Sequence, residues 1–142
     1  MHPVTCTIRR EVDVYVAISR GREFAEHLGF SMVDRTRIEI VILELTRNLL
    51  VHAGGGHMVL QLVEHPEHGR GLEIQAIDEG PGIPDIALAM QDGYSTAHTL
   101  GAGLPGVQRL MDEFSIESTV GVGTRVRAVK WPPHRRRRIY GF

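Results

Sequence analysis

The chain has 142 residues, of which 42% are hydrophobic and 23% charged, and its formal net charge is −1 with histidines neutral. This length predicts one domain with a hydrophobic core of its own, and the balanced charge argues against a general nucleic-acid binder. The single cysteine, Cys6, excludes an internal disulfide and is typical of a reducing compartment. The sequence has no apolar run of about 18 residues and no signal-peptide core, so we expect a cytoplasmic protein without a membrane partner.

The pattern of apolar and β-branched residues predicts nine elements. In chain order they are strand 5–12, helix 14–29, a long helix that Asp34 caps and Gly54–Gly56 end, strands 57–64 and 71–78, helices 84–92 and 104–114, and a closing hairpin with strands near 114–120 and 123–131. The order β-α-α-β-β-α-α-β-β predicts an α+β, two-layer sandwich, in which helices pack on one face of a mixed, mostly antiparallel sheet.

The composition changes at Pro132-Pro133, because two prolines stop a strand. We therefore predict a domain over residues 1–131 and a basic C-terminal tail over 132–142. The four arginines Arg135–Arg138 are interpreted as a solvated extension, with a docking patch for an acidic partner as the alternative.

The segment Gly101-Ala102-Gly103-Leu104-Pro105-Gly106 matches the G-x-G-x-x-G pattern of dinucleotide-binding folds. That pattern requires a buried strand directly before it, whereas the nearest predicted strand ends at Asp78, more than 20 residues earlier. We therefore disfavour an NAD-dependent enzyme. Glycine backbone at the start of a helix still favours an anion, because free N–H groups and the helix dipole point at it.

Glu44 and Asn48 are one helical turn apart, about 40° around the axis, at the border of the apolar stripe of the long helix. They are expected to face a cleft between helix and sheet. The amide oxygen of Asn48 could then bind Mg²⁺, and the carboxylate of Glu44 could act as a general base. The alternative is an exposed glutamate and a local hydrogen bond from Asn48.

Asp78 ends a predicted strand, and Gly80 and Gly82 expose the backbone that follows. A carboxylate there suits an amino group such as the N6 group of adenine; the alternative is an ordinary Asp-Gly turn. Thr124 begins the last strand, where its hydroxyl could support Asp78 or a bound water. The alternative for Thr124 is a threonine present only for its β-propensity.

In this order, E-x-x-x-N, D-x-G-x-G, G-x-G-x-x-G and G-T resemble the motifs of the ATP-binding fold shared by gyrase, histidine kinases, MutL and a heat-shock chaperone, the Bergerat or GHKL fold. The resemblance implies ATP and Mg²⁺ as cofactors, with adenine at Asp78 and the metal at Asn48. It implies a nucleotide site that also includes Gly80, Gly82, Gly101, Gly103, Leu104, Gly106 and Thr124.

Three stretches, HLGFSMVDRTRIEIVILELTRNLLVHAG, GLEIQAIDEGPGIPDIALAMQDGYST and LGAGLPGVQRLMDEFSIES, are similar to the small anti-sigma-type kinases and, among them, to RsbT-type serine/threonine switch kinases. The similarity covers about residues 5–131. It implies an ATP-dependent kinase that phosphorylates a STAS-domain antagonist protein in a partner-switching, sigma-factor-regulating stress module. Glu44 would be the base, and a phosphatase would be activated by contact. The resemblance also implies that the stretch STAHTLGAG belongs to a lid that closes over the phosphates of ATP. This lid stretch has less glycine near His98-Thr99 than expected for this group, so the sequence does not predict the kinase rate.

A second hypothesis keeps the fold without the chemistry: a nucleotide-gated module that sequesters a sigma factor or activates a phosphatase by binding alone. Three histidines, His57, His65 and His68, are expected to be solvated residues and not a metal site, because they span a strand and a loop.

Overall fold

The computed structural model describes residues 1–91 and 103–133. Its elements are β1 (Val4–Ile8), α1 (Glu11–Leu28), α2 (Met32–Ala53), β2 (Gly56–His65), β3 (Gly69–Asp78), α3 (Ile86–Ala89), α4 (Gly103–Leu110), β4 (Glu113–Thr119) and β5 (Gly123–Lys130). This is the predicted order of elements. Gly101, the lid stretch around His98 and the arginines Arg135–Arg138 lie outside the described residues.

The five described strands form one sheet in the order β1-β2-β3-β5-β4, and each neighbouring pair is antiparallel. Side chains of a strand alternate between faces, so Leu72, Ile74 and Ala76 of β3 point into the core while Glu73 and Gln75 point the other way. Helices α1, α2 and α4 pack on the first of these faces. The predicted fold class is therefore confirmed, although no described strand pair is parallel.

The core forms where α1 and α2 cross the inner face of the sheet. Buried side chains of α1 recur at helical spacing, from Val14 to Phe24, and meet the stripe of α2 that contains Ile38 and Ile42. At the crossing, the Cδ1 atom of Ile42 occupies the space that a side chain at Gly21 would need. This close approach packs α1 tightly against α2.

The predicted cap at Asp34 is wrong. The helix α2 begins earlier, because the hydroxyl of Ser31 accepts the backbone N–H of Asp34 at 3.2 Å and is the cap. Asp34 is instead buried, with its carboxylate 3.7 Å from the ammonium of Lys130. Lys130 also donates to the carbonyl oxygen of Leu110 at 2.8 Å, which ties the end of α4 to β5.

The first strand is shorter than the predicted range 5–12. The carboxylate of Asp13 accepts the backbone N–H groups of Arg9 and Arg10, both at 2.9 Å, and so begins α1 at Glu11. These two hydrogen bonds lower the pKa of Asp13. The helix predicted over 104–114 is also shorter, because β4 begins at Glu113. No helix in the described ranges is long and apolar enough to cross a membrane.

Candidate functional site

A cavity of about 390 Å³ lies between the second half of α2 and the ends of β3 and β5. The loop after β3 and the start of α4 complete its walls. Its volume is within the usual range for small-molecule sites. Most of the lining is apolar, with side chains such as Leu45, Ile83 and Val126, and a few polar groups converge on it.

Several residues that the sequence analysis selected line this one cavity: Asn48, Asp78, Gly82, Gly103, Leu104 and Thr124. They come from α2, the end of β3, the loop after it, α4 and β5, so only the fold brings them together. Gly80 lies beside the cavity at the turn after Asp78, and Gly106 is buried within α4.

On α2, the residues Leu45, Asn48, Leu49 and His52 follow one another at helical spacing along the cavity wall. Asn48 is half-buried, as expected for a residue at the border of the apolar stripe. Glu44 lies deeper than the helical wheel indicates: its exposed fraction is 1%, and it does not line the cavity. The wheel of α2 alone does not show such burial, because it leaves out other elements that pack on the helix, among them α4.

At the end of β3, one carboxylate oxygen of Asp78 accepts the backbone N–H of Gly80 at 2.9 Å. Asp78 pairs with Thr124 of β5, and Thr124 pairs with Ser118 of β4. Directly paired residues point to the same face of a sheet. Asp78, Thr124 and Ser118 therefore form one polar row across three neighbouring strands, at the edge of the cavity.

Two glycines after Asp78 are required by the protein itself. A Cβ atom at Gly80 would lie 2.7 Å from that of Ala53 on α2. Gly82 has a positive φ of 78°, and a Cβ there would lie 2.5 Å from the carbonyl oxygen of Thr119. The loop thus lies directly on α2 and β4, which fixes the cavity wall independently of any ligand.

Ser118 is a further residue beside this site, and it was not predicted from the sequence. Its hydroxyl oxygen accepts the backbone N–H of Ile83 at 2.7 Å and lies 2.8 Å from the hydroxyl oxygen of Thr124. The predicted hairpin contained the signal, since counting back from a turn at Gly121–Gly123 pairs position 118 with 124. His52 and the apolar lining residues other than Leu104 were also not predicted, because nothing in the local pattern marks them.

A buried acid lies on the sheet face opposite the helices, which we call the outer face. Glu73, with an exposed fraction of 4%, accepts hydrogen bonds at 2.6 Å from each of Gln61, Gln75 and Arg127. Burial alone would raise the pKa of this carboxyl, but the three hydrogen bonds outweigh burial, and the pKa is lowered. This network pairs three strands and is separate from the cavity.

The structure brings His65 and His68 together with Glu67 in the β2–β3 turn, where the potential ligand atoms of the three lie within 4.8 Å of one another. His57 lies at the other end of β2. The ring of His68 stacks on that of Trp131, with centroids 5.2 Å apart and planes 22° apart. The histidine pair belongs to the outer face and not to the cavity.

The sequence of the chain is similar to those of several known proteins. Residues 33–135 match the family described as histidine kinase-, DNA gyrase B-, and HSP90-like ATPase. The chain is 49% identical over 133 residues to the serine/threonine-protein kinase RsbT of Bacillus subtilis, covering 92% of this chain and 98% of that protein. It is 32% identical over 111 residues to an anti-sigma F factor of a Thermoanaerobacter species, covering 76% of this chain and 78% of that protein.

Among solved structures, the RsbU and RsbW domains of a Mycobacterium tuberculosis protein match 92% of this chain with a TM-score of 0.64 at 17% identity. This chain spans about a third of that longer protein, 32% of its length. The mycobacterial sensor histidine kinase MprB matches with a TM-score of 0.53 at 16% identity, covering 92% of this chain and 96% of that one. These two similarities concern the fold alone.

The chain therefore belongs to the family of histidine kinase-, gyrase B- and HSP90-like ATPases, and its use of ATP follows from that membership. Within this family, its resemblance to the RsbT-type serine/threonine-protein kinases is confirmed, and it is an enzyme of that type.

Proposed function

We propose that ATP binds in the cavity between α2 and the sheet, and that its terminal phosphoryl group is transferred to a serine or threonine of a STAS-domain antagonist protein. One observation carries the proposal: Asn48, Asp78 and Thr124, from three separate segments, line a single cavity of about 390 Å³. The lining around them is mainly apolar, which suits a purine base, and the polar side chains among it offer hydrogen-bond partners to a base or a phosphate chain.

In this arrangement the carboxylate of Asp78 accepts a hydrogen bond from the amino group of adenine. Leu104 contributes apolar surface, and Thr124 places a hydroxyl beside Asp78 on the neighbouring strand. The backbone of Gly103 and Gly106 lies at the start of α4, where N–H groups favour phosphate. Gly101 joins them in the proposal on sequence grounds.

The amide oxygen of Asn48 fits a magnesium ion, because Mg²⁺ prefers oxygen ligands and usually shares them with phosphates. Asn48 is half-buried on the cavity wall, so its side chain is accessible to a ligand inside. The ion, when bound, neutralises charge on the transferring phosphoryl group. Asn48 itself orients the phosphate chain along α2.

Glu44 is the proposed base. It lies one turn before Asn48 on α2, about 6 Å along the axis. Its burial keeps it from the cavity lining, so the acceptor hydroxyl can reach Glu44 only if docking of the substrate protein uncovers this part of α2. Phosphoryl transfer depends chiefly on such positioning.

A protein substrate also fits the protein's relatives. One is named a serine/threonine-protein kinase and another an anti-sigma F factor, and a solved neighbour contains RsbU and RsbW domains. We infer a cytoplasmic partner switch, in which the antagonist is phosphorylated and the released kinase activates a phosphatase by contact. Residues 1–131 would form the kinase domain and 132–142 a separate basic tail.

The experiment that tests this proposal is transfer of labelled phosphate from ATP and Mg²⁺ to a purified STAS-domain protein. Wild-type protein is expected to label a serine or threonine. Glu44→Gln, which keeps the buried volume, is expected to bind ATP normally and to lose transfer. If the wild-type protein binds ATP but labels no hydroxyl group of the STAS-domain protein, the proposed substrate class is refuted. A Glu44→Gln protein that transfers at the wild-type rate would remove Glu44 from its role.

A further inference from the structure

We propose that Ser118 is a positioning residue that makes the cavity selective for a purine with an amino group at position 6, by fixing the direction in which the hydroxyl of Thr124 donates. This inference rests on the proposed function, since it concerns how the same cavity recognises its base. Ser118 does not line the cavity; it lies on β4, one strand further from it than Thr124.

The hydroxyl of Ser118 has three neighbours. The backbone N–H of Ile83 donates to it at 2.7 Å, the hydroxyl oxygen of Thr124 lies at 2.8 Å, and the carbonyl oxygen of Gly123 lies at 3.3 Å. A serine hydroxyl has one proton and two lone pairs. The carbonyl can only accept, and the N–H can only donate. All three contacts are satisfied together when Thr124 donates to Ser118 and Ser118 donates to Gly123.

In that arrangement Thr124 turns only lone pairs toward the cavity. Its strand neighbour Asp78 is an acceptor as well when ionised. The two side chains therefore form an acceptor pair at the edge of the cavity. An amino group, such as that of adenine, is favoured opposite this pair, whereas the carbonyl oxygen of guanine is repelled. Without Ser118, Thr124 can rotate and donate to such a carbonyl.

Ser118 also holds the wall of the cavity. Its hydrogen bond with the N–H of Ile83 attaches the loop after β3 to β4. Nearby, the backbone N–H of Gly121 donates to the carbonyl oxygen of Pro81 in the same loop at 2.9 Å. Gly82 lies against Thr119 in the same place. One side chain on β4 thus fixes both the loop that covers the base and the threonine beneath it.

The test compares Ser118→Val with Ser118→Thr, because valine and threonine have the same shape and differ by one hydroxyl. Affinities for ATP and GTP are measured by calorimetry. For Ser118→Val we expect ATP affinity to fall about three- to tenfold and the preference for ATP over GTP to shrink by a similar factor. Ser118→Thr is expected to stay within about twofold of wild type. Ser115→Ala, on the opposite face of β4, is the matched control.

The inference is overturned if Ser118→Val keeps the wild-type ATP affinity, if it loses ATP and GTP equally, or if Ser118→Thr is as defective as Ser118→Val. A wild type that binds no ATP would instead refute the proposed function, and this inference with it. If Ser118→Val does not fold, hydrogen exchange of the Ile83 amide in the wild-type protein tests the hydrogen bond to Ser118 on which the inference depends. Protection of that amide supports the inference, and exchange at the unprotected rate contradicts it.

Discussion

Replacing Gly80 by alanine is expected to destabilise the fold by crowding α2. The new methyl carbon would lie 2.7 Å from the Cβ atom of Ala53 and 3.0 Å from its Cα atom. Carbon atoms prefer separations of about 3.5–4.0 Å. The loop after β3 and the end of α2 must therefore move apart by about 1 Å, and overpacking of this kind costs about 1–3 kcal/mol. In a chain of this size each kcal/mol lowers the melting temperature by about 3–4 °C.

A double-mutant cycle identifies the cause. Ala53→Gly removes the methyl group that the new side chain meets, at a cost of about 0.5–1 kcal/mol on its own. Combined with Gly80→Ala it should recover about 1 kcal/mol or more as coupling energy. The control pair is Gly80→Ala with Ala87→Gly, because Ala87 is exposed on α3 and its effect should simply add. Melting is followed by circular dichroism, and ATP affinity is measured by calorimetry.

Two results would refute this reasoning. The first is a Gly80→Ala protein that melts at the wild-type temperature, because the contact with α2 would then impose no constraint. The second is a double mutant with no coupling energy, because Ala53 would then not be the residue that the new methyl group crowds.

Three further outcomes are expected. Glu73→Gln should destabilise the fold by about 1–3 kcal/mol at pH 7. Because the native pKa of Glu73 is lowered from 4.5, its contribution is present above that pH and is lost as pH falls through the native value. The loss of unfolding free energy measured in urea should therefore shrink at low pH. Glu117→Gln, on the exposed surface of β4, is the control and should show no such loss. A loss that stays constant with pH would contradict this prediction. Asn48→Ala should weaken ATP binding with Mg²⁺ far more than without it; equal losses would make Asn48 structural. Asp78→Asn should reduce the preference for ATP over GTP in competition binding, since an amide can donate where the carboxylate only accepts; an unchanged preference would show that Asp78 does not read the base.

Much of the fold could be predicted because its signals are local. The stripe of α2 and the glycines after it define the long helix, and the order of elements fixes the sheet class. The position of Asn48 at a cavity follows from helical periodicity, and the position of Asp78 at a strand end follows from strand periodicity. These features depend on neighbours within a few residues.

Features that depend on distant segments could not be predicted. Glu44 is buried where the wheel of α2 alone predicts a border position, and Asp34 is buried beside Lys130, almost a hundred residues later. The role of Ser118 depends on a hydrogen bond from Ile83, 35 positions earlier. Gly80 was interpreted through a ligand, whereas its small size is first required by Ala53. Such contacts leave no spacing in the sequence.

The position of Trp131 determines what the intrinsic fluorescence of this protein can report. It is the only tryptophan of the chain, and its ring lies over Gly71 on the outer face, stacked on His68 and bonded through its indole N–H to Glu113 at 2.9 Å. Gly71 and Asp78 are seven residues apart on β3, or about 23 Å. Intrinsic fluorescence will therefore report unfolding, while a nucleotide titration needs a dye or a labelled ligand to become visible.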